Sequence, residues 1–250
     1  MPSPSKHRID TSILALGAHP DDIEFGCGGV IAKESRMGRK SHFVICSRGE
    51  SGSHGTPAER SREARASAKI LGASVQFLDL GGAARGAGDG YLESRNSHAL
   101  KIAEMIRAVK PSIVLAPTPM PNQHPDHCAL GTLARNAARL ARYGGIKELR
   151  RAPAHAIEVL LFYAISPDAE MQGTMPILID VSDANTMEVW TRAMQAHKSQ
   201  MKTRNYLELQ LNRARLNGQR AGISHAIALF ANDAILFDSL RGVSRSARSF

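Results

Sequence analysis

The 250-residue sequence predicts an α/β fold: a Rossmann-like, mostly parallel sheet with helices on both faces, in a single domain. Three observations predict it. Short, nearly continuous apolar runs of strand length recur along the chain, helix-period segments with start and stop signals separate them, and a cluster of polar, chemistry-bearing residues follows two of the runs. In order, residues 13–18 read as a first strand, 28–37 as a helix ended by Gly38, and 41–46 as a second strand. Thr56-Pro57-Ala58-Glu59 announces the next helix: Thr56 can cap the free amides, Pro57 suits the first helical position and Glu59 can complete a capping box. That helix runs to about residue 71 and stops at Gly72. Residues 75–80 form a third strand, and the glycine-rich stretch 81–90 is too permissive to hold a fixed element; loops of this kind often border sites. Leu100, Ala103 and Ile106 give 97–109 helical spacing, Pro111 closes it, and 113–116 is a fourth strand. The second half carries strand-like runs at 157–164 and 177–181, then helical patterns at 184–201 and 207–220. The last segment, 225–240, is expected as one or two short strands or loops over the sheet edge. Neither an internal repeat nor a linker divides the chain, so one domain spans 1–250, with 1–11 and 242–250 as flexible tails.

Composition narrows the function. With 43% apolar residues the chain can fill a sizeable core. The run at 13–18 is far shorter than the about 20 residues that cross a bilayer, and the polar N-terminal stretch has no signal-peptide core, so a soluble, cytoplasmic protein with no membrane partner is expected. Cys27, Cys46 and Cys128 make no CxxC pair and read as free thiols in a reducing compartment. Net charge is +9, but the basic residues are scattered over several helical segments and only 5% of residues are aromatic, which argues against nucleic acid as the ligand. A solvated basic surface that draws in small anions is the better reading.

Chemistry concentrates in two places. His19-Pro20-Asp21-Asp22 follows the first strand and His124-Pro125-Asp126-His127 follows the fourth. In doubly wound sheets ligands bind at the carboxyl ends of strands, near the point where strand order reverses. Zinc takes about four nitrogen, oxygen or sulfur ligands, with one position left for water at catalytic sites, and lowers the pKa of that water to roughly 7. His19, Asp22 and His127 supply a His2Asp set, and Asp21 beside them is free to take a proton. His124 can face a developing oxyanion as a charged donor, with Asp126 orienting and charging it. Singly, each of these residues could be an ordinary turn or capping residue; two clusters at equivalent strand ends favour the metal. Gly26, Gly28 and Gly29 miss the G-x-G-x-x-G spacing of a dinucleotide fingerprint, and the neighbouring carboxylates would repel a pyrophosphate. Cys27 and Cys128 read as packing residues on the following helices, and Cys46 as strand core.

The chain resembles the LmbE-like, or PIG-L, N-acetylglucosaminyl deacetylases. The likeness rests on Gly17-Ala18-His19-Pro20-Asp21-Asp22-Ile23-Glu24, on Gly26-Cys27-Gly28-Gly29, and on Arg48-Gly49-Glu50 with Gly55-Thr56 and Arg60. It continues through Pro117 to Asn122 into the second cluster, and ends at Ala196-His197-Lys198-Ser199-Gln200. The resemblance implies zinc, with iron as the alternative ion, on His19, Asp22 and His127, Asp21 as general base, and His124 with Asp126 stabilising a tetrahedral intermediate. It also implies that Arg60 lines the substrate pocket, where its guanidinium suits a carboxylate or phosphate on the aglycone. Within the family the likeness is to the bacillithiol-pathway deacetylases, which act on N-acetylglucosaminyl malate, and relatives often assemble as trimers or hexamers. One departure is His225-Ala226-Ile227 where that subgroup carries Tyr-Ala-Glu, which puts substrate identity in question. His225 reads as an ordinary, partly buried histidine, and His197, on a helical segment, as structural. The leading expectation is a zinc-dependent deacetylase of an N-acetylated amino sugar. Its alternatives are a metal-dependent amidase of another acylated small molecule, such as an antibiotic glycoside, and a non-catalytic anion-binding protein.

Overall fold

The computed structural model describes residues 12–80, 89–202 and 205–248. Among these the chain forms seven strands: β1 (Ile13–Gly17), β2 (Ser41–Ile45), β3 (Ala73–Phe77), β4 (Ile113–Pro117), β5 (Val159–Tyr163), β6 (Ile177–Asp180) and β7 (Ala226–Ala231). Six helices accompany them: α1 (Asp22–Arg36), α2 (Pro57–Ile70), α3 (Asn96–Val109), α4 (Pro125–Arg142), α5 (Ala184–Gln195) and α6 (Tyr206–Arg220). The sheet runs β3-β2-β1-β4-β5-β7-β6. All pairings from β3 to β5 are parallel, while β7 is antiparallel to both its neighbours. The expected α/β architecture is therefore the one observed. Chain order reverses between β1 and β4, where a crevice opens at the carboxyl ends of a doubly wound sheet.

Strand β1 shows why its apolar run has no polar alternation. Leu14 and Leu16 pack into one core with Ile102 and Ile106 of α3 and Leu130 and Leu133 of α4, while Ile13 and Ala15 face a second core with Ile31, Phe43 and Trp190. Both faces of the sheet are covered, so every position is buried.

Several elements differ from their expected bounds. Helix α1 starts at Asp22, well before residue 28, so Gly26, Gly28 and Gly29 lie inside it. They are there for closeness: a Cβ on Gly26 would stand 2.0 Å from Cδ2 of Tyr163, and one on Gly28 would stand 2.8 Å from Cδ1 of Trp190. Propensity argues against glycine in a helix, but packing of α1 onto the sheet and α5 overrides it. Helix α2 has the capping box expected at Thr56 and Glu59, and Gly72 follows it at φ +68°. The helical pattern expected to 201 breaks at Gln195, and residues 198–202 form a 3-10 turn. The last apolar run does not lie over the edge. It becomes β7, inserted between β5 and β6, because residues 226–230 are almost fully buried while β6 is half-exposed and serves as the edge. Among the described residues no helix is long and apolar enough to cross a membrane. Residues 1–11 and 81–88, expected as a tail and a loop, lie outside the described residues.

Candidate metal centre

Strands β1 and β4 pair directly, Ile13 opposite Ile113, so the two clusters that follow them emerge side by side. The first enters α1 through a tight turn in which Asp22 Oδ2 accepts from the amides of Ala18 at 2.8 Å and His19 at 2.9 Å. That fixes the carboxylate and leaves Oδ1 at 3.1 Å from His127 Nε2. His127 sits in the first turn of α4, and its Nε2 is 3.2 Å from His19 Nδ1. His19 Nδ1 is in turn 3.6 Å from Asp22 Oδ2. Ligand atoms around a tetrahedral zinc, with bonds of about 2.0–2.2 Å, lie roughly 3.3–3.6 Å apart. The three residues read as ligands therefore present one nitrogen, one nitrogen and one carboxylate at spacings that fit a divalent ion.

Two further donor groups crowd the same place: His19, His124 and His127, and separately His19, Asp89 and Asp126, each with ligand atoms within 4.8 Å of one another. The far nitrogen of His19, Nε2, meets Asp126 Oδ2 at 3.0 Å and Asp89 Oδ1 at 2.9 Å. Asp126 also accepts from the amides of Gly90 at 2.6 Å and Leu92 at 3.1 Å. This corrects the expected partnership with His124. The Asp126 carboxylate is taken up by His19 and the 90–92 backbone, and only its amide reaches His124, donating to Nδ1 at 3.2 Å. His124 is thereby the N-cap of α4, with its ring edge-on to that of His19 at a centroid distance of 4.6 Å. An imidazolium has no lone pair at Nδ1 to accept that bond, so this His124 is neutral with its proton on Nε2, not the charged donor expected. Burial and the nearby His19 and His127 likewise depress its pKa, against the pull of Asp126.

Burial governs the other charges. It would depress the His19 pKa, but Asp22 and Asp126 outweigh it and raise it. Asp22 shows the reverse balance: burial pushes it up, and His127 and His19 hold it well below the usual carboxylate range. Burial pushes Asp21 up to about 6 although Arg60 opposes the shift. Asp21 also stands at φ +121°, a conformation L residues avoid.

Arg60 is only 4% exposed. Its Nη2 donates to the Pro20 carbonyl at 3.1 Å and lies 3.6 Å from Asp21 Oδ1, while Nη1 is 3.7 Å from Asp89 Oδ2. Gly49 and Gly52 make room for it; a Cβ on Gly49 would fall 2.0 Å from Nη1.

All seven residues singled out in the sequence meet here. Six of them, with Asp126 behind His19, line a cavity of about 200 Å³. Its other walls, Phe25, Asp89, Ile165, Gln200 and Tyr206, were not foreseen as site residues. Signals pointed to two of them: Asp89 lies in the glycine-rich stretch 81–90, and Gln200 belongs to the His197-Lys198-Ser199-Gln200 segment. Ser199 donates through its amide and hydroxyl to Glu63 of α2, which docks that turn at the pocket. His197 is fully buried with Nε2 3.3 Å from Glu24 Oε1, and half-buried His225 lies outside the cavity lining.

The family model described as GlcNAc-PI de-N-acetylase matches residues 14–138. A diacetylchitobiose deacetylase of Thermococcus kodakarensis is 30% identical over 205 residues, covering 75% of this chain and 69% of that protein. A 4-oxalmesaconate hydratase of Pseudomonas putida is 32% identical over 148 residues, covering 54% of this chain and 55% of that one. Among solved structures, a conserved protein of Thermus thermophilus superposes with a TM-score of 0.79 at 29% identity, over 94% of this chain and all of the other. The family match, the extent of the first relative and the two clusters facing each other across β1 and β4 lead to one conclusion: the chain belongs to the PIG-L family of de-N-acetylases.

Proposed function

We propose that this protein is a zinc-dependent hydrolase that removes the acetyl group from an N-acetylglucosamine-containing small molecule. The observation that carries the reading is the gathering of His19 Nδ1, Asp22 Oδ1 and His127 Nε2 at a cavity that is also lined by the largely buried carboxylate of Asp21. Those three atoms would hold the ion, which when bound polarises an acyl carbonyl and brings the pKa of a water molecule to about 7. Asp21 takes the proton of the attacking water at its carboxylate and returns it to the departing nitrogen, so the products are acetate and a free amine. His124 donates from Nε2 to the oxyanion that develops on the acyl oxygen. Arg60 lines the cavity beside Asp21, where an anionic group on the aglycone would meet its guanidinium. The cavity of about 200 Å³ is small, and the pocket suits one acylated sugar with the remainder of the molecule outside.

Two measurements test this. Metal analysis of protein purified without chelator should give one zinc per chain, with iron as the other ion to assay. A panel of glucosaminides that differ at the anomeric position, N-acetylglucosaminyl malate first and an acylated antibiotic glycoside among the controls, should release amine and acetate in equal amounts. Hydration, the reaction named for the Pseudomonas putida relative, would release neither. Absence of stoichiometric metal, or no amine from any glucosaminide with metal-loaded protein, rejects the proposal.

A further inference from the structure

Asp126 is 1% exposed and belongs to the second cluster, yet its carboxylate touches none of the atoms that would hold the ion. We propose that Asp126 is a positioning residue for the ion: it holds the Nε2 proton of His19 and so aims Nδ1 of the same ring at the metal. The inference rests on the metal reading above. A neutral imidazole carries its proton on one nitrogen and its lone pair on the other, and the partner of the protonated nitrogen decides which is which. The surroundings of His19 are divided in this way. Nδ1 faces His127 Nε2 at 3.2 Å and the Asp22 carboxylate, 3.6 Å from its Oδ2, the two other residues of the proposed set. Nε2 faces two carboxylates, Asp126 at 3.0 Å and Asp89 at 2.9 Å, which can only accept.

Of the two, Asp126 is the fixed one. Its oxygens are pinned by the amides of Gly90 and Leu92, and its backbone stands in the first turn of α4, next to His127. A single helical turn therefore supplies one ligand directly and orients a second from the opposite strand. Asp89 is the weaker brace, since among the described residues its other oxygen meets only Arg60 Nη1, at 3.7 Å. The hydrogen bond between Asp126 and His124 runs through the Asp126 amide, so the carboxylate acts on His124 only as a nearby charge and not as the bonded partner that spacing suggested.

The test needs no turnover. Wild-type protein carrying 15N-labelled histidine and loaded with 113Cd should show cadmium coupling to His19 Nδ1, with Nε2 protonated. Coupling to Nε2 instead, or to both nitrogens because a second ion sits on Asp89 and Asp126, would overturn the proposal. In parallel, competition with a chromophoric chelator should show zinc affinity about 10–100-fold weaker in Asp126→Asn, the range found for lost outer-shell partners. The loss in Asp89→Asn should be smaller, and metal-free melts show whether either variant is folded. Equal affinity in folded Asp126→Asn, even with reduced turnover, contradicts the positioning role while leaving the metal reading intact. A wild-type protein that binds neither ion removes both.

Discussion

Asp21 concentrates two costs in one residue. Its backbone at φ +121° and ψ −25° carries strain of about 1–3 kcal/mol, and its carboxyl is buried beside that of Asp22. Glycine relieves both at an entropic cost of about 0.5–1 kcal/mol. Asp21→Gly should therefore stabilise the protein by about 1 kcal/mol in a thermal melt while turnover falls by two or more orders of magnitude. A lower melting temperature would contradict the strain argument. Arg60 poses a different question, because its guanidinium is enclosed by Gly49 and Gly52 and bonded to the Pro20 carbonyl. Lysine keeps the charge but loses the planar fork. If Arg60 steadies the 19–22 turn as well as lining the pocket, Arg60→Lys lowers kcat about tenfold or more; an effect confined to KM would assign it to substrate alone.

At the level of elements, α1 is the member on which the site depends, since Asp22 opens it and its glycines seat it. Gly26→Ala forces a Cβ into the ring of Tyr163, whose hydroxyl donates to the Leu16 carbonyl of β1 at 2.7 Å. Overpacking of that kind costs about 1–3 kcal/mol, and chemical denaturation should show it. The same helix holds a wholly buried pair, Glu24 with His197. Burial opposes charge on His197, but Glu24 outweighs it and raises the pKa above its ordinary 6.5. A raised folded-state pKa adds stability that is complete below the unfolded value and fades as pH climbs through the folded one. The stability gap between wild type and His197→Gln should therefore be larger at pH 6 than at pH 9; a gap that widens with pH would refute the ion pair.

Across the whole molecule, the proposed ion would be gripped from two strand ends, which would tie metal affinity to global stability. An ion that binds only the folded chain stabilises it by RT ln(1 + [L]/Kd), about 4 kcal/mol at a thousandfold excess over Kd. Chelation should lower the melting temperature by several degrees and added zinc should restore it; identical melts would mean that the clusters hold no ion. Remote from the site, Arg107 shows how far stabilising contacts reach. It is 2% exposed and donates to the carbonyls of Ala141, Tyr143, Leu149 and Ala152, closing the end of α4 onto α3.

The amino-acid order by itself determined whatever depends on near neighbours. The strands at 13–18 and 113–116, the Thr56 capping box, and the two clusters that follow β1 and β4 were legible because periodicity, capping and motif are local properties. Only the tertiary structure decided what depends on residues far apart in the chain. It started α1 at Asp22, since the need for its glycines lies on Tyr163 and Trp190, and it put β7 between β5 and β6, since strand pairing is a long-range choice. It brought Asp89, Gln200 and Tyr206 to the pocket and turned the Asp126 carboxylate from His124 to His19. A side chain's partner is set by which surfaces meet when the sheet closes, and a sequence motif specifies the side chain without specifying that surface.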